Sequence, residues 1–194
     1  TKLDSLKALG YSSCGRVLVS MDQNSLFKAG DLVACAGQDY ASHAEIVSVP
    51  QNLVAKVPDN VSASEAAFTT LGAIAMQGVR QASPQLGEKI AVIGLGLLGQ
   101  ITCQLLRANG CAVFGIDLND SLVKLARETA SDAALNRNDG SLLKSCENFT
   151  QGRGFDAVII TAAAPSNDPI ELAAELSRKK GKIIVVGAVK MDIP

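Results

Sequence analysis

The chain has 194 residues, 47% of them apolar, and a formal net charge of −1. That apolar share supports a sizeable core and excludes wholesale disorder. The near-even charge balance excludes a basic nucleic-acid surface or a polybasic membrane patch, and no apolar run approaches the roughly 18 residues of a membrane span.

In chain order, the first segment is short-stranded. Gly15-Arg16-Val17-Leu18-Val19-Ser20, Asp31-Leu32-Val33-Ala34-Cys35, Ala44-Glu45-Ile46-Val47-Ser48-Val49 and Leu53-Val54-Ala55-Lys56-Val57 are β-rich, and Gly30-Asp31, Pro50 and Pro58 break them. This reads as part of a small antiparallel barrel or partial roll. Ser62 and Glu65 have capping-box spacing and open a helix, with an Ala-rich helical stretch over 66–82 that Pro84 and Gly87 end. From Glu88 onward strands and helices alternate: strand 89–93, helix 97–109, strand 111–116, helix 120–130, strand 133–135, helix 140–149, strand 156–160, helix 168–177 and strand 182–186. Uninterrupted apolar strands between helices imply α/β architecture, a parallel sheet covered on both faces. Five strands is one short of the usual doubly wound six. The chain starts at Thr1 and stops at Pro194 soon after the fifth strand, so it is expected to be a piece of a longer protein. The cysteines, Cys14, Cys35, Cys103, Cys111 and Cys146, form no C-x-x-C pair and read as small buried hydrophobes of a reducing, cytoplasmic compartment.

The most informative stretch is Gly94-Leu95-Gly96-Leu97-Leu98-Gly99, directly after the apolar run 89–93, with Asp117 at the end of the next one. Strand, glycine turn, helix, strand and acid form the arrangement of a dinucleotide-binding unit. Gly94 permits the tight turn, Gly96 lets backbone approach a pyrophosphate, and Gly99 lets the helix lie close to the sheet. The helix N-terminus, at Leu97 and Leu98, turns free N–H groups and a positive dipole end toward the phosphates. Asp117 accepts from the adenosine ribose hydroxyls. The competing reading is a structural turn without a cofactor. At the other strand ends, Thr161, Ala162, Gly187 and Ala188 are expected to wall the cofactor path, with simple packing as the alternative for the alanines.

Asp117 is followed by Leu118-Asn119-Asp120, with no basic residue to meet a 2′-phosphate. Repulsion at a partly exposed rim of about 1–3 kcal/mol corresponds to about 10- to 100-fold against the phosphorylated nucleotide, so NAD is the expected cofactor.

Gly30-Asp31-Leu32-Val33, Ala44-Glu45-Ile46-Val47 with Val49-Pro50, Pro58-Asp59-Asn60-Val61-Ser62, Glu65-Ala66-Ala67 and the glycine turn occur in that order. This order resembles the medium-chain dehydrogenase/reductase superfamily, the zinc alcohol dehydrogenases and quinone reductases, over essentially the whole chain. Leu9-Gly10-Tyr11-Ser12-Ser13, Phe68-Thr69-Thr70-Leu71-Gly72-Ala73-Ile74-Ala75 and Arg178-Lys179-Lys180-Gly181 look like the bi-domain oxidoreductases, in which a second dehydrogenase-type half follows, often in surface-polysaccharide synthesis. The resemblance implies the C-terminal part of a GroES-like catalytic barrel over 1–62, a helical connection over 63–87 and an incomplete Rossmann domain over 88–194. It also implies hydride transfer between nicotinamide and a small-molecule alcohol or carbonyl substrate in the cleft between the two domains. A fused second dehydrogenase domain and a homodimer of the longer protein are the partners it suggests, with no nucleic acid and no membrane.

The chain departs from the zinc pattern. Zinc members hold the catalytic metal on three protein ligands. A first cysteine ligand belongs upstream of Thr1. The histidine of the family's Gly-His-Glu motif corresponds to Tyr11 in Gly10-Tyr11-Ser12, and the third ligand, aligned on Gln77-Gly78-Val79-Arg80, falls near Thr70. Gly37 also runs to Ala44 without the cysteines of a structural zinc loop. No metal is therefore expected. Without one, a proton donor or oxyanion partner is needed. Tyr11 is the candidate, against an ordinary barrel tyrosine. Thr69 and Thr70 are candidates to hydrogen-bond substrate or nicotinamide, against polar packing at a helix start. His43, the single histidine, reads as structural, and Cys14 and Cys35 as core. Two main functions compete: an NAD-dependent oxidoreductase, and a non-catalytic NAD-binding module of a larger fused protein. A piece inert by itself is the third reading.

Overall fold

A computed structural model describes residues 8–21 and 26–193. Contacts divide the chain into two compact units, Thr1–Ala73 and Ile74–Pro194.

The first unit carries a three-stranded antiparallel sheet, β1 (Ser12–Arg16), β2 (Leu32–Ala36) and β3 (Val54–Lys56), in that order. The register sets Ser13 against Cys35 and Cys35 against Val54. Alternation along β2 then sends Val33 and Cys35 to one small core with Ala41, and Ala34 to another with Val57 and Ala66. Cys35 is thus buried, while Cys14 is half-buried beside the second core. Two expected strands are corrected. β1 begins three residues earlier than the apolar run, because pairing with β2 sets its limits; Val17 still donates to Asp31 O at 2.9 Å and accepts from Gly30 N at 2.8 Å. Residues 44–49 are not a strand at all. Among the described residues no strand pairs with them, and Ile46 is 74% exposed. β-rich composition makes a strand only where a partner accepts the ladder.

Ser62 caps α1 (Ala63–Ala66) with the expected box: Ser62 Oγ accepts from Glu65 N at 3.3 Å and Glu65 Oε2 accepts from Ser62 N at 2.9 Å. The helical stretch expected over 66–82 is interrupted, and α2 runs Thr69–Ala82. At the interruption the Thr69 hydroxyl donates to Ala66 O at 2.7 Å and the Ser12 hydroxyl to Ala67 O at 2.6 Å, side-chain bonds that compete with the helical ladder.

The second unit is a doubly covered sheet. β4 (Lys89–Ile93), α3 (Leu97–Ala108), β5 (Ala112–Asp117), α4 (Asp120–Thr129), β6 (Ala133–Asn136), α5 (Leu142–Thr150), β7 (Phe155–Ile160), α6 (Asp168–Leu176) and β8 (Ser177–Val185) follow one another. The five strands are parallel in the order β6-β5-β4-β7-β8. Ile90, Val92 and Val113 meet α2, α3 and α4 through Val79, Cys103 and Val123; Ala91, Ile93, Phe114 and Val158 meet α5 and α6 through Leu142, Cys146, Leu172 and Leu176. Burial on both faces is why these strands read as continuous apolar runs. Burial also pushes the Cys103 and Cys146 thiols up to about 12, so neither is a poised nucleophile. β8 is longer than the expected 182–186. Its ladder with β7 is broken between Phe155 and Ala157, where Arg178 to Gly181 bulge out and Arg178 Nε reaches Asp156 Oδ1 at 2.7 Å. No helix among the described residues is long and apolar enough to cross a membrane.

Phe114, Phe149 and Phe155 pack on one face with ring centroids 5.3–6.0 Å apart, and Phe114 and Phe155 are fully buried. Phe114→Ala is expected to lower stability by about 3–5 kcal/mol, read as a lower urea midpoint at unchanged slope. A loss below about 1 kcal/mol is incompatible with this core.

Candidate functional site

The order β6-β5-β4-β7-β8 reverses direction at β4, so the switch point of the second unit lies at the carboxyl ends of β4 and β7. A crevice there is where open α/β sheets bind ligands. The turn after β4 is tightly built. Gly94 has φ +97°, and its N–H donates to Ile116 O at 2.8 Å. A Cβ on Gly94 would stand 2.5 Å from the Ala162 nitrogen, and one on Gly99 would overlap the Gly94 carbonyl oxygen. Thr161 and Ala162 donate their N–H groups to Ile93 O at 2.8 and 3.0 Å, and the Thr161 hydroxyl donates to Gly94 O at 2.6 Å. Gly187 lies equally close: a Cβ there would overlap the Ala162 carbonyl. Ala188 accepts from Ala164 N at 3.1 Å, continuing β8's line past the wall.

Gly96 is different. Its φ of −62° and ψ of −172° suit any residue, and a Cβ there would meet no heavy atom within 4 Å. It is the N-cap of α3, and no side chain caps that helix. The first-turn amides of Leu97, Leu98 and Gly99 therefore lack intrahelical partners, and the positive end of the helix dipole opens onto clear space. That cradle fits a dinucleotide pyrophosphate. Leu97 and Leu118, 51% and 67% exposed, add apolar surface on either side.

Asp117, at the end of β5, holds the turn as well as edging the crevice. Its Oδ2 accepts from Leu95 N at 2.6 Å and its Oδ1 from Asn119 N at 2.8 Å. Each carboxylate oxygen keeps a second lone pair for a ribose hydroxyl. The carbonyl of the same Leu95 accepts from Gln100 Nε2 at 2.9 Å, and that amide also reaches Leu122 O at 3.1 Å. Leu95, itself fully buried, is thus pinned through both peptide groups. Sequence reasoning missed Gln100. A buried polar residue on the inward face of α3 was the available signal. It also missed Asn136, whose amide donates to Leu118 O at 2.9 Å and Asp120 Oδ1 at 2.7 Å and so fixes the loop after β5.

In the first unit, Tyr11 is 43% exposed, and its carbonyl accepts from Gly37 N at 3.0 Å. The Thr70 hydroxyl donates to Cys35 O at 3.3 Å, and the Ser12 hydroxyl lies 3.4 Å from Thr70 N. The Thr69 and Thr70 hydroxyl protons are therefore committed to backbone carbonyls, although both oxygens keep acceptor capacity. His43 is exposed and lies outside any strand; its ring covers Gly10, where an added Cβ would overlap the imidazole. Among the described residues no three His, Cys, Asp or Glu side chains converge to hold a metal. Tyr11 and Thr70, at the positions aligned with zinc ligands, do not form a usual zinc donor set.

The family described as zinc-binding dehydrogenase matches residues 98–194. An alcohol dehydrogenase of Geobacillus stearothermophilus is 30% identical over 190 residues; the match covers 95% of this chain and 53% of that protein, so the chain spans about half its length. Among solved structures, the alcohol dehydrogenase TADH of Thermus sp. ATN1 superposes with a TM-score of 0.87 at 21% identity, covering 99% of this chain and 67% of that one. The Escherichia coli quinone oxidoreductase complexed with NADPH superposes at 0.83 with 20% identity, covering 96% and 59%. At such identities the superpositions speak for the fold alone. The family match over half of the chain carries the assignment: the chain belongs to the zinc-binding dehydrogenase family of the medium-chain dehydrogenase/reductase superfamily.

Proposed function

We propose that the second unit binds NAD(H) across the β4–β7 crevice and that the protein is an NAD-dependent oxidoreductase. Its substrate is a small alcohol or carbonyl compound, sugar-derived in the version the bi-domain resemblance favours, and it works without a zinc ion held by these residues. The observation that carries the proposal is the pairing of an uncapped α3 N-terminus, open in front of Gly96, with an Asp117 carboxylate at the neighbouring strand end. When bound, nicotinamide supplies the hydride chemistry. The chain's own residues bind and orient: first-turn amides take the pyrophosphate, Asp117 takes the ribose diol, and Leu97 and Leu118 exclude water beside it.

Nucleotide choice rests on charge. Asp117 and Asp120 form the rim, joined through Asn119 and Asn136, and a 2′-phosphate there meets like charge. The phosphorylated nucleotide is the one bound in a structural neighbour, the Escherichia coli quinone oxidoreductase complexed with NADPH, so the choice for this chain is a matter for measurement. Fluorescence titration of this chain with each nucleotide is expected to give NADH a Kd at least about tenfold lower than NADPH. Tighter NADPH binding overturns the Asp117 argument, and absence of binding by both overturns the site.

The second reading, a non-catalytic NAD-binding module, has one observation in its favour: the Thr69 and Thr70 hydroxyl protons are committed to Ala66 and Cys35 carbonyls. Tyr11→Phe separates the two readings. In the full-length protein, loss of turnover with NADH affinity retained supports the enzyme; NADH binding with no turnover of alcohols or carbonyls by that protein without the substitution supports the module.

A further inference from the structure

Two side chains tie together the same two segments of the second unit. Asp117 is the first. Its Oδ2 accepts from Leu95 N in the glycine turn at 2.6 Å, and its Oδ1 accepts from the N–H of Asn119, the N-cap of α4, at 2.8 Å. Gln100, in the first turns of α3, is the second. Its Nε2 donates to Leu95 O at 2.9 Å and to Leu122 O, in the first turn of α4, at 3.1 Å. Both protons of the amide are thereby used, one on each segment. The four bonds close a ring in which the turn and the start of α4 are each held by one N–H and one carbonyl. Packing alone does not call for a glutamine here. Gln100 is 7% exposed, and its Oε1 accepts from no group among the described residues. A buried acceptor without a donor is destabilising, and an apolar side chain of the same length would fill the space without it. What the amide adds is the tie between turn and helix.

We infer that Gln100 is a positioning residue for the nucleotide: it sets the spacing between the glycine turn and α4, and so between the α3 amides that take the pyrophosphate and the Asp117 carboxylate that takes the ribose. Without it the tie falls to Asp117, whose carboxylate must also turn its free lone pairs to the ribose. A ligand that reaches both places gains from having them at the right distance, and loses that gain when the distance drifts. The inference rests on the proposed nucleotide site.

The test compares ADP, which spans both places, with its two pieces, adenosine and inorganic pyrophosphate. Each is titrated into the whole chain and followed by amide chemical shifts, and a thermal melt establishes that each variant is folded. Gln100→Met keeps the length of the side chain and removes both hydrogen bonds. It is expected to weaken ADP about 5- to 20-fold, the size of coupling within one hydrogen-bond network, while neither piece weakens by more than about twofold. Gln100→Asn keeps an amide that is one methylene short of spanning the two carbonyls, and the same pattern is expected. A merely structural residue would weaken ADP and its pieces alike, or none of them. ADP affinity within about twofold of the unsubstituted chain in a folded variant overturns the inference and leaves the nucleotide site standing. A loss that adenosine or pyrophosphate shares in full also overturns it, since Gln100 then supports one place and not the spacing. Failure of both variants to fold overturns it too, because Gln100 is then structural support. An unsubstituted chain that does not bind ADP overturns the site itself, and this inference with it.

Discussion

Gly96→Val is expected to weaken NADH binding by about 100-fold or more while lowering the melting temperature by no more than about 4 °C. The two halves have separate causes. Gly96 adopts φ −62° and ψ −172°, extended backbone without strain, and its missing Cβ faces open space. The fold therefore loses only the modest N-cap preference of glycine over valine, about 1 kcal/mol. The ligand loses more, because the isopropyl group stands in front of the first-turn amides of α3. Those amides then offer the pyrophosphate neither contact nor the short range over which the helix dipole acts. Fluorescence titration beside a thermal melt reads both. An affinity within about threefold of the unsubstituted chain would falsify the assignment of the cradle.

Gly99→Ala is expected to do the reverse, destabilising the second unit by about 3 kcal/mol or more, with loss of nucleotide binding as a consequence. A Cβ at this position overlaps the Gly94 carbonyl oxygen and lies 3.0 Å from Thr161 Oγ1. Neither neighbour yields easily. The Gly94 carbonyl accepts the Thr161 hydroxyl, and the Gly94 N–H is bonded to Ile116 O. Relieving the overlap means lifting α3 off the sheet, where Cys103 and Leu106 are fully buried against β4 and β5. Urea unfolding measures the loss. A variant as stable as the parent would show that α3 does not need the close approach seen here. The two glycines of one motif thus separate by readout, Gly99 by stability and Gly96 by affinity.

The parts legible in the sequence are those whose physics is local or repeats. The βα alternation after Glu88 was readable because the middle of each of these parallel strands is buried on both faces, so residues 90–93, 112–116 and 157–160 carry no polar side chain. The capping box at Ser62 and Glu65 was readable because both bonds lie within one helical turn. The glycine motif was readable because its spacing encodes a turn. Less legible were features that need a partner far along the chain. Residues 44–49 have strand-like composition yet no strand beside them among the described residues, and β8 starts earlier than its apolar core because β7 accepts its irregular first turn.

At the candidate site the division is the same. The residue types and their spacing are enough to nominate Gly94, Gly96, Gly99 and Asp117. Spacing does not reveal that Asp117 pins the Leu95 amide or that Gln100 pins the Leu95 carbonyl. Sequence by itself determined the doubly covered α/β sheet and the place of its glycine turn, because burial pattern and turn chemistry are carried by neighbouring residues. Only the tertiary structure decided which glycine is architectural and which has open space before it. Those distinctions depend on atoms that meet between Gly99 and Gly94, between Gly187 and Ala162 and between Asp117 and Leu95, contacts that no periodicity records.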